Sequence, residues 1–274
     1  MRLYISSDME GTAGVCAWEQ CDARTPHSEY ALYRDWMTAE VRAAIDGART
    51  AGADGVTVND SHGPMRNLVL EALPDDVRII FGNRKPFSMV QDADAGFDGA
   101  FFTGYHGAIG DANAVLAHTY SPAVVYEVRV NGIRCSEATL NAAYLGHLGI
   151  PLLLVTGDRT TVEGVAQQMP WVKGAIVKES IGNQAANSLS PVAAQKLIRE
   201  CASAAIAGRA QAQAFVFAAP ATLEIDLVKA EQADLIELIP GFERAAARTV
   251  RLRHPDYPTI FRGFMAAVRM GNLA

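Results

Sequence analysis

Apolar and polar positions along the chain follow two alternating periods. Residues 3–8 form a short apolar run that turns polar and enters Met9-Glu10-Gly11-Thr12-Ala13-Gly14, the pattern of a strand feeding a glycine-containing loop. Across residues 28–51, Leu32, Trp36, Ala39, Val41, Ala44, Ile45 and Ala48 recur at helical spacing, and Gly52 follows as a C-terminal stop. Residues 55–60, 77–81 and 99–106 read as strands. Residues 124–130 read as another, turning tightly at Asn131-Gly132 into Ile133-Arg134. Ser136 is placed to cap a helix over 137–147. Residues 150–155 are an almost unbroken apolar strand, typical of a sheet covered on both faces. A helix over 159–168 and a strand over 172–177 follow.

This alternation predicts an α/β fold with a mostly parallel central sheet flanked by helices. Ser190-Pro191 opens a helix to residue 207, with serine as N-cap and proline at the first helical position. Beyond it the order is strand (221–227), helix (229–238), strand (249–252), helix (257–270). The expected organisation is a catalytic α/β domain over 1–189 and a smaller C-terminal α/β portion over 190–274, the two able to form one compact unit. No internal repeat or low-complexity tract interrupts it.

Composition narrows the function classes. The 274 residues are 50% hydrophobic and 20% charged, with mean hydropathy +0.07, formal charge −6 and pI about 5.5. Nothing here marks a nucleic-acid or membrane-surface binder. The densest basic group, Arg248, Arg251, Arg253 and His254, alternates along a predicted strand and reads as a solvated face. No apolar run reaches the ~18 residues of a membrane span, and the N-terminus carries no leader pattern, so the expected compartment is the cytoplasm. Cys16, Cys21, Cys135 and Cys201 fit neither a disulfide framework nor a C-x-x-C site and are expected as free thiols.

The candidate chemistry falls where predicted strands stop, which is where open α/β sheets collect ligands. Asp8 and Glu10 follow the first strand at i, i+2 and would project to one side if the strand continued. Asn59-Asp60-Ser61-His62 ends the second, Gly104-Tyr105-His106 a later one, and Glu137 starts a helix, where the dipole favours an anion. Any one of these residues alone has an ordinary structural explanation. Three carboxylates and two imidazoles without a thiolate suit Zn²⁺, and also Mn²⁺ or Co²⁺. Five ligands exceed the usual three plus water of one catalytic zinc, and a carboxylate bridging two metals resolves the count. Tyr105, Asn59, Asp60 and Ser61 are candidates to orient the imidazoles.

The motifs Ser7-Asp8-Met9-Glu10-Gly11, Val58-Asn59-Asp60-Ser61-His62, Lys85-Pro86-Phe87-Ser88-Met89-Val90 and Gly104-Tyr105-His106 resemble the successive signatures of the zinc-dependent D-aminopeptidase family. The likeness continues through Ala117-His118, Glu137-Ala138-Thr139-Leu140-Asn141-Ala142, Val155-Thr156-Gly157-Asp158 and Ser188-Leu189-Ser190-Pro191, and thins after residue 200. It implies two zinc ions per subunit on Asp8, Glu10, His62, His106 and Glu137, with Asp8 as bridge and His118 as the catalytic histidine. It also implies short peptide substrates with an N-terminal D-amino acid, and a homodecamer of two stacked pentameric rings. Thr12 and Gly107 depart from the pattern and bear on pocket size, which puts substrate preference, not chemistry, in question. Two rivals stand beside this reading: another dizinc hydrolase (an amidase, or a phosphatase with Arg66 or Lys85 as clamp), and an inactive peptide- or metal-binding protein.

Overall fold

The computed structural model describes residues 1–274 and contains two sheets. The main sheet comprises β1 (Arg2–Ser7), β2 (Gly55–Asp60), β3 (Arg78–Ile80), β4 (Gly99–Tyr105), β7 (Leu152–Asp158), β8 (Lys173–Gly182) and β9 (Ala185–Ser188). Its order is β3-β2-β1-β4-β7-β8-β9, parallel throughout except for the antiparallel β8–β9 edge. The chain winds outward from β1 through β2 to β3 and then returns to place β4 on the other side of β1. That reversal opens a crevice at the carboxyl ends of β1 and β4.

Helices α2 (Tyr30–Thr50) and α5 (Pro191–Ala207) cover one face. Val41, Ile45, Ile198 and Ala202 from these helices pack with Ile5, Val58 and Leu154 of the strands in a cluster of 29 buried residues. The i, i+4 spacing of Val41 and Ile45 is the apolar stripe that the sequence showed. The other face is covered by α3 (Glu137–His147), whose residues 137–146 are all buried, and α4 (Arg159–Gln168). α3 packs in turn on α7 (Tyr257–Gly271), and α7 on the second sheet. Phe261 and Phe264 of α7 are each 1% exposed, and their burial is worth about 1.5–3 kcal/mol apiece relative to exposure.

The second sheet is antiparallel, in the order β11 (Phe242–Ala246), β12 (Thr249–His254), β10 (Ala221–Leu227), β5 (Val125–Val130) and β6 (Ile133–Arg134). It joins strands from the middle of the chain to strands from its C-terminal part. β10 alternates buried and half-buried positions, sending Leu223, Ile225 and Leu227 toward α7 and the core. On its outer side Arg251 pairs with Glu224 and Glu243, so the basic run is a solvated face, as expected. Asn131 and Gly132 both take positive φ (52° and 77°), as a two-residue hairpin requires. All four cysteines are free, and no helix is long and apolar enough to cross a membrane.

Differences from the sequence reading are local. β1 ends at Ser7, so Asp8 and Glu10 lie on the following turn and not on an extended strand. β8 runs past residue 177 to Gly182 because it gains a second partner, pairing with β7 up to Lys178 and with β9 from Lys178 onward. The short helix α1 (Trp18–Cys21), β9 and β11 carry no periodicity long enough to read. A further helix, α6 (Ala230–Ile236), lies inside the predicted 229–238.

Candidate metal centre

The predicted site residues come from five places in the chain and meet in the crevice. Just past β1, the Asp8 N–H donates to Thr103 O at 2.8 Å and the Gly11 N–H to Gly104 O at 2.8 Å, so the loop stays bound to β4 while it turns. That approach needs glycine at both points of contact. A Cβ on Gly11 would stand 1.9 Å from Tyr105 O, and one on Gly104 2.2 Å from Asp8 O, with φ at Gly104 also positive (+68°). Gly104 lies where the β4–β7 register slips, and this bulge directs the chain end that carries His106. His62 follows β2. Glu137 is the first residue of α3, capped by Ser136 Oγ accepting the Thr139 N–H at 3.1 Å.

Asp8, Glu10, His62, His106, His118 and Glu137 are all buried, none more than 8% exposed. The Asp8 carboxylate divides its two oxygens between two groups. Oδ1 lies 3.3 Å from His62 Nδ1, which is also 2.9 Å from Glu10 Oε2. Oδ2 lies 3.3 Å from His106 Nε2, which is 3.4 Å from Glu137 Oε1. His118 Nε2 faces the same space, 3.9 Å from Glu10 Oε1 and 3.8 Å from Glu137 Oε1. Two triads have all donor atoms within 4.8 Å of one another: Asp8, Glu10 and His106, and His106, His118 and Glu137. The two overlap at His106.

Backbone carbonyls, and not the side chains of Tyr105, Asn59, Asp60 or Ser61, orient the imidazoles. His62 Nε2 donates to Cys21 O at 2.8 Å, His106 Nδ1 to Gly107 O at 2.9 Å, and His118 Nδ1 to Leu116 O at 2.8 Å. These bonds assign the tautomers. In each neutral ring the nitrogen facing the carboxylates is then a lone pair. With the rings neutral, acceptor faces acceptor in a buried space, and what satisfies the site is a bound cation or, without one, protons taken up on the rings. Asp8 Oδ2 accepts no hydrogen bond. A tetrahedral zinc with bonds of ~2.0–2.1 Å sets its donor atoms about 3.3 Å apart. The 2.9–3.4 Å separations match that spacing, so the donor set fits the metal.

The same crowding governs protonation. Burial opposes charge on His62 and His106, yet the carboxylates of Glu10 and Asp8, and of Glu137 and Asp8, outweigh it and hold both pKa values well above the ordinary range. Burial likewise works against Asp8, but the imidazoles of His106 and His62, one beside each carboxylate oxygen, keep it far below a usual carboxylate. Glu10 and Glu137 are also lowered: the histidines around them overcome burial and, for Glu10, repulsion from Asp8.

His118 is held between rings. It stacks on His106 at 4.0 Å between centroids with planes 8° apart, and Trp18 meets it edge-on at 5.4 Å. The residues expected to orient the imidazoles do other work. Asp60 accepts N–H groups of Asn67 and Leu68, Tyr105 Oη bonds Ser6 and Asn141, and the Asn59 amide donates to Ser88 O. Ser61 Oγ bonds Ser6 Oγ. Lys85 directs its ammonium to Asn59 Oδ1 and to Asp60 O (2.7 Å), and Arg66 is exposed, so the cations weighed as phosphate clamps do not enter the cage. Asp158 caps α4 through Thr161 and also accepts the Val115 N–H.

Sequence reasoning missed the residues that hold the Glu10 loop. Lys178 is 2% exposed and donates to the carbonyls of Glu10, Thr12 and Val15; burial pushes its pKa down to about 8. Glu40 of α2 accepts the Ala13 N–H at 2.8 Å. Trp18 and the Cys21 carbonyl were also missed; both belong to a four-residue helix without a sequence pattern. Beside His106 opens a cavity of about 310 Å³, bordered by Asp111, Arg134, Ser136, Thr139 and Gln168.

The D-aminopeptidase family, peptidase M55, matches residues 1–266. A D-aminopeptidase of Bacillus subtilis (strain 168) is 32% identical over 278 residues, covering 100% of this chain and 98% of that protein. The solved structure of the Zn-dependent D-aminopeptidase DppA from Bacillus subtilis, described as a self-compartmentalizing protease, superposes with a TM-score of 0.96. It is 30% identical, with 100% of this chain and 99% of that chain covered. The chain therefore belongs to the peptidase M55 family of D-aminopeptidases.

Proposed function

We propose that this protein is a zinc-dependent aminopeptidase that releases an N-terminal D-amino acid from short peptides. Two zinc ions would be held by Asp8, Glu10, His62, His106 and Glu137, with Asp8 serving both. One observation carries the reading: imidazole lone pairs face buried carboxylates at the donor spacing of zinc, with each Asp8 oxygen turned to a different histidine. When bound, zinc supplies Lewis acidity that polarises a peptide carbonyl and lowers the pKa of water toward neutrality.

The chain's own groups supply the rest. Leu116 O fixes the tautomer of His118, leaving Nε2 directed into the cage as the atom that takes or gives a proton. The rings of His106 and Trp18 hold its plane, so the proton is exchanged at a fixed position. Burial of the cage excludes bulk water and strengthens every charge interaction within it. We also carry the homodecamer of stacked rings as a proposal. An enclosed chamber would admit short peptides and exclude folded chains, in keeping with the description of the Bacillus structure as self-compartmentalizing.

The test is zinc analysis of the purified protein, with hydrolysis of D-Ala-D-Ala and L-Ala-L-Ala before and after chelation. Faster turnover of the D-peptide, lost on chelation and restored by zinc, is expected. Preference for the L-peptide, or activity that survives complete metal removal, overturns the proposal. A second reading rests on the His106, His118 and Glu137 triad and makes His118 a ligand. Zinc content separates the two, because His118→Ala keeps its metal under the first and loses it under the second.

A further inference from the structure

Glu10 reaches the cage from a segment, residues 10–15, that belongs to no helix or strand. Its backbone is held instead by side chains from distant elements. Lys178 Nζ donates to Glu10 O at 2.5 Å, Val15 O at 2.7 Å and Thr12 O at 2.9 Å. An ammonium has three protons, and here all of them serve carbonyls of one loop. Glu40 accepts the Ala13 N–H at 2.8 Å and Ser188 Oγ the Gly14 N–H at 2.8 Å, so the loop is tied on both its donor and acceptor sides. Lys178 stands at the last residue of β8 that pairs in parallel with β7, opposite Asp158.

We infer that Lys178 is a positioning residue for the metal cage, fixing the Glu10 loop so that the Glu10 carboxylate stands preformed beside His62. The inference rests on the reading of Glu10 as a metal ligand. Without the ammonium, three converging carbonyls would repel one another and the loop would open where Glu10 leaves it. The carboxylate would then have to be ordered each time metal binds. Lys178 bonds main-chain carbonyls of the loop and none of the cage's carboxylate or imidazole donor atoms, so its effect is on metal affinity through Glu10.

The test uses Lys178→Met, which keeps the aliphatic length and removes the donors, beside Glu10→Gln and Leu252→Ala, a variant in the core of the second sheet. Zinc affinity is measured by competition with a chromophoric chelator, and visible absorption is recorded after Co²⁺ substitution. Lys178→Met is expected to bind zinc roughly 10–100-fold more weakly, the range for a residue that orients a ligand, with shifted Co²⁺ bands. Leu252→Ala lowers thermal stability and leaves affinity unchanged, which is the behaviour of a merely structural residue. Wild-type affinity in Lys178→Met with loss of zinc in Glu10→Gln overturns the inference, whereas wild-type affinity in Glu10→Gln overturns the ligand reading beneath it. Should Lys178→Met fail to fold, Lys178→Gln, which retains one donor group, reads the same affinity, and unchanged binding there is equally decisive against the inference.

Discussion

Glu40 offers a measurement in which sign and size both follow from the structure. It lies on α2 beneath the Glu10 loop, 2% exposed, with Oε1 accepting the Ala13 N–H and Oε2 without a hydrogen bond. Burial pushes its pKa from 4.5 up to about 7, against the smaller opposing pull of the Ala13 N–H and the Lys178 charge. An unfolded chain releases this proton near 4.5, whereas the folded protein keeps it until about 7. Between those values the unfolded state binds fewer protons, so stability falls as pH rises. At ~1.4 kcal/mol per pKa unit, a rise from 4.5 to about 7 costs about 3 kcal/mol above neutrality. Glu40→Gln keeps the oxygen for Ala13, resembles the protonated acid and cannot ionise. It should match the wild type near pH 5 and exceed it at pH 8, by roughly 6–12 °C in Tm at ~2–4 °C per kcal/mol for a chain of this size. Thermal unfolding of both zinc-loaded proteins at pH 5, 6, 7 and 8 reads the difference, and loss of zinc in acid, common to both, cancels from it. A gap that does not change with pH, or a variant less stable at pH 8, refutes the raised pKa and the neutral Glu40 it implies.

His118→Ala should retain zinc and lose ~100-fold or more in turnover, the effect of removing an acid–base group, while His106→Ala loses metal and activity together; wild-type turnover in the first, or full zinc in the second, discards the assigned role. Gly104→Ala forces a Cβ to within 2.2 Å of Asp8 O at a positive φ, so a fall in Tm and in zinc content is expected together, and a zinc-replete variant with the wild-type Tm would show that this contact does not set the position of Asp8.

Residues were legible in the sequence to the extent that their role follows from their place on an element. α3, α4 and α5 begin at a capping Ser136, Asp158 or Ser190, and the first and last of these caps were read directly because a cap is local chemistry. The cage was legible for a related reason. In a parallel sheet every strand presents its carboxyl end to the same edge, so Asp8, His62 and His106 share a neighbourhood before any contact is known. What was not legible depends on bonds to main-chain atoms, which leave no trace in side-chain type. The three carbonyls that fix the imidazoles belong to Cys21, Leu116 and Gly107, and any residue at those positions would present the same oxygen. The partners proposed for the imidazoles, chosen because they are polar neighbours in sequence, instead brace the β2 end and the 59–68 segment.

Lys178 lies between these cases. The predicted strand over 172–177 stops one residue before it, so the rule that singled out Asp8, His62 and His106 applied to it equally. A lysine there reads as an exposed strand terminus, because burying an ammonium is costly unless it is fully hydrogen-bonded. The structure meets that condition with three carbonyls contributed from more than 160 residues away. Such a satisfied burial requires the loop to hold one shape, and Glu10 projects from that shape. A cage assembled from strand ends needs a rigid contour wherever a proposed ligand lies beyond the strand, and Glu10, three residues past the end of β1, lies farther beyond its strand than Asp8, His62 or His106.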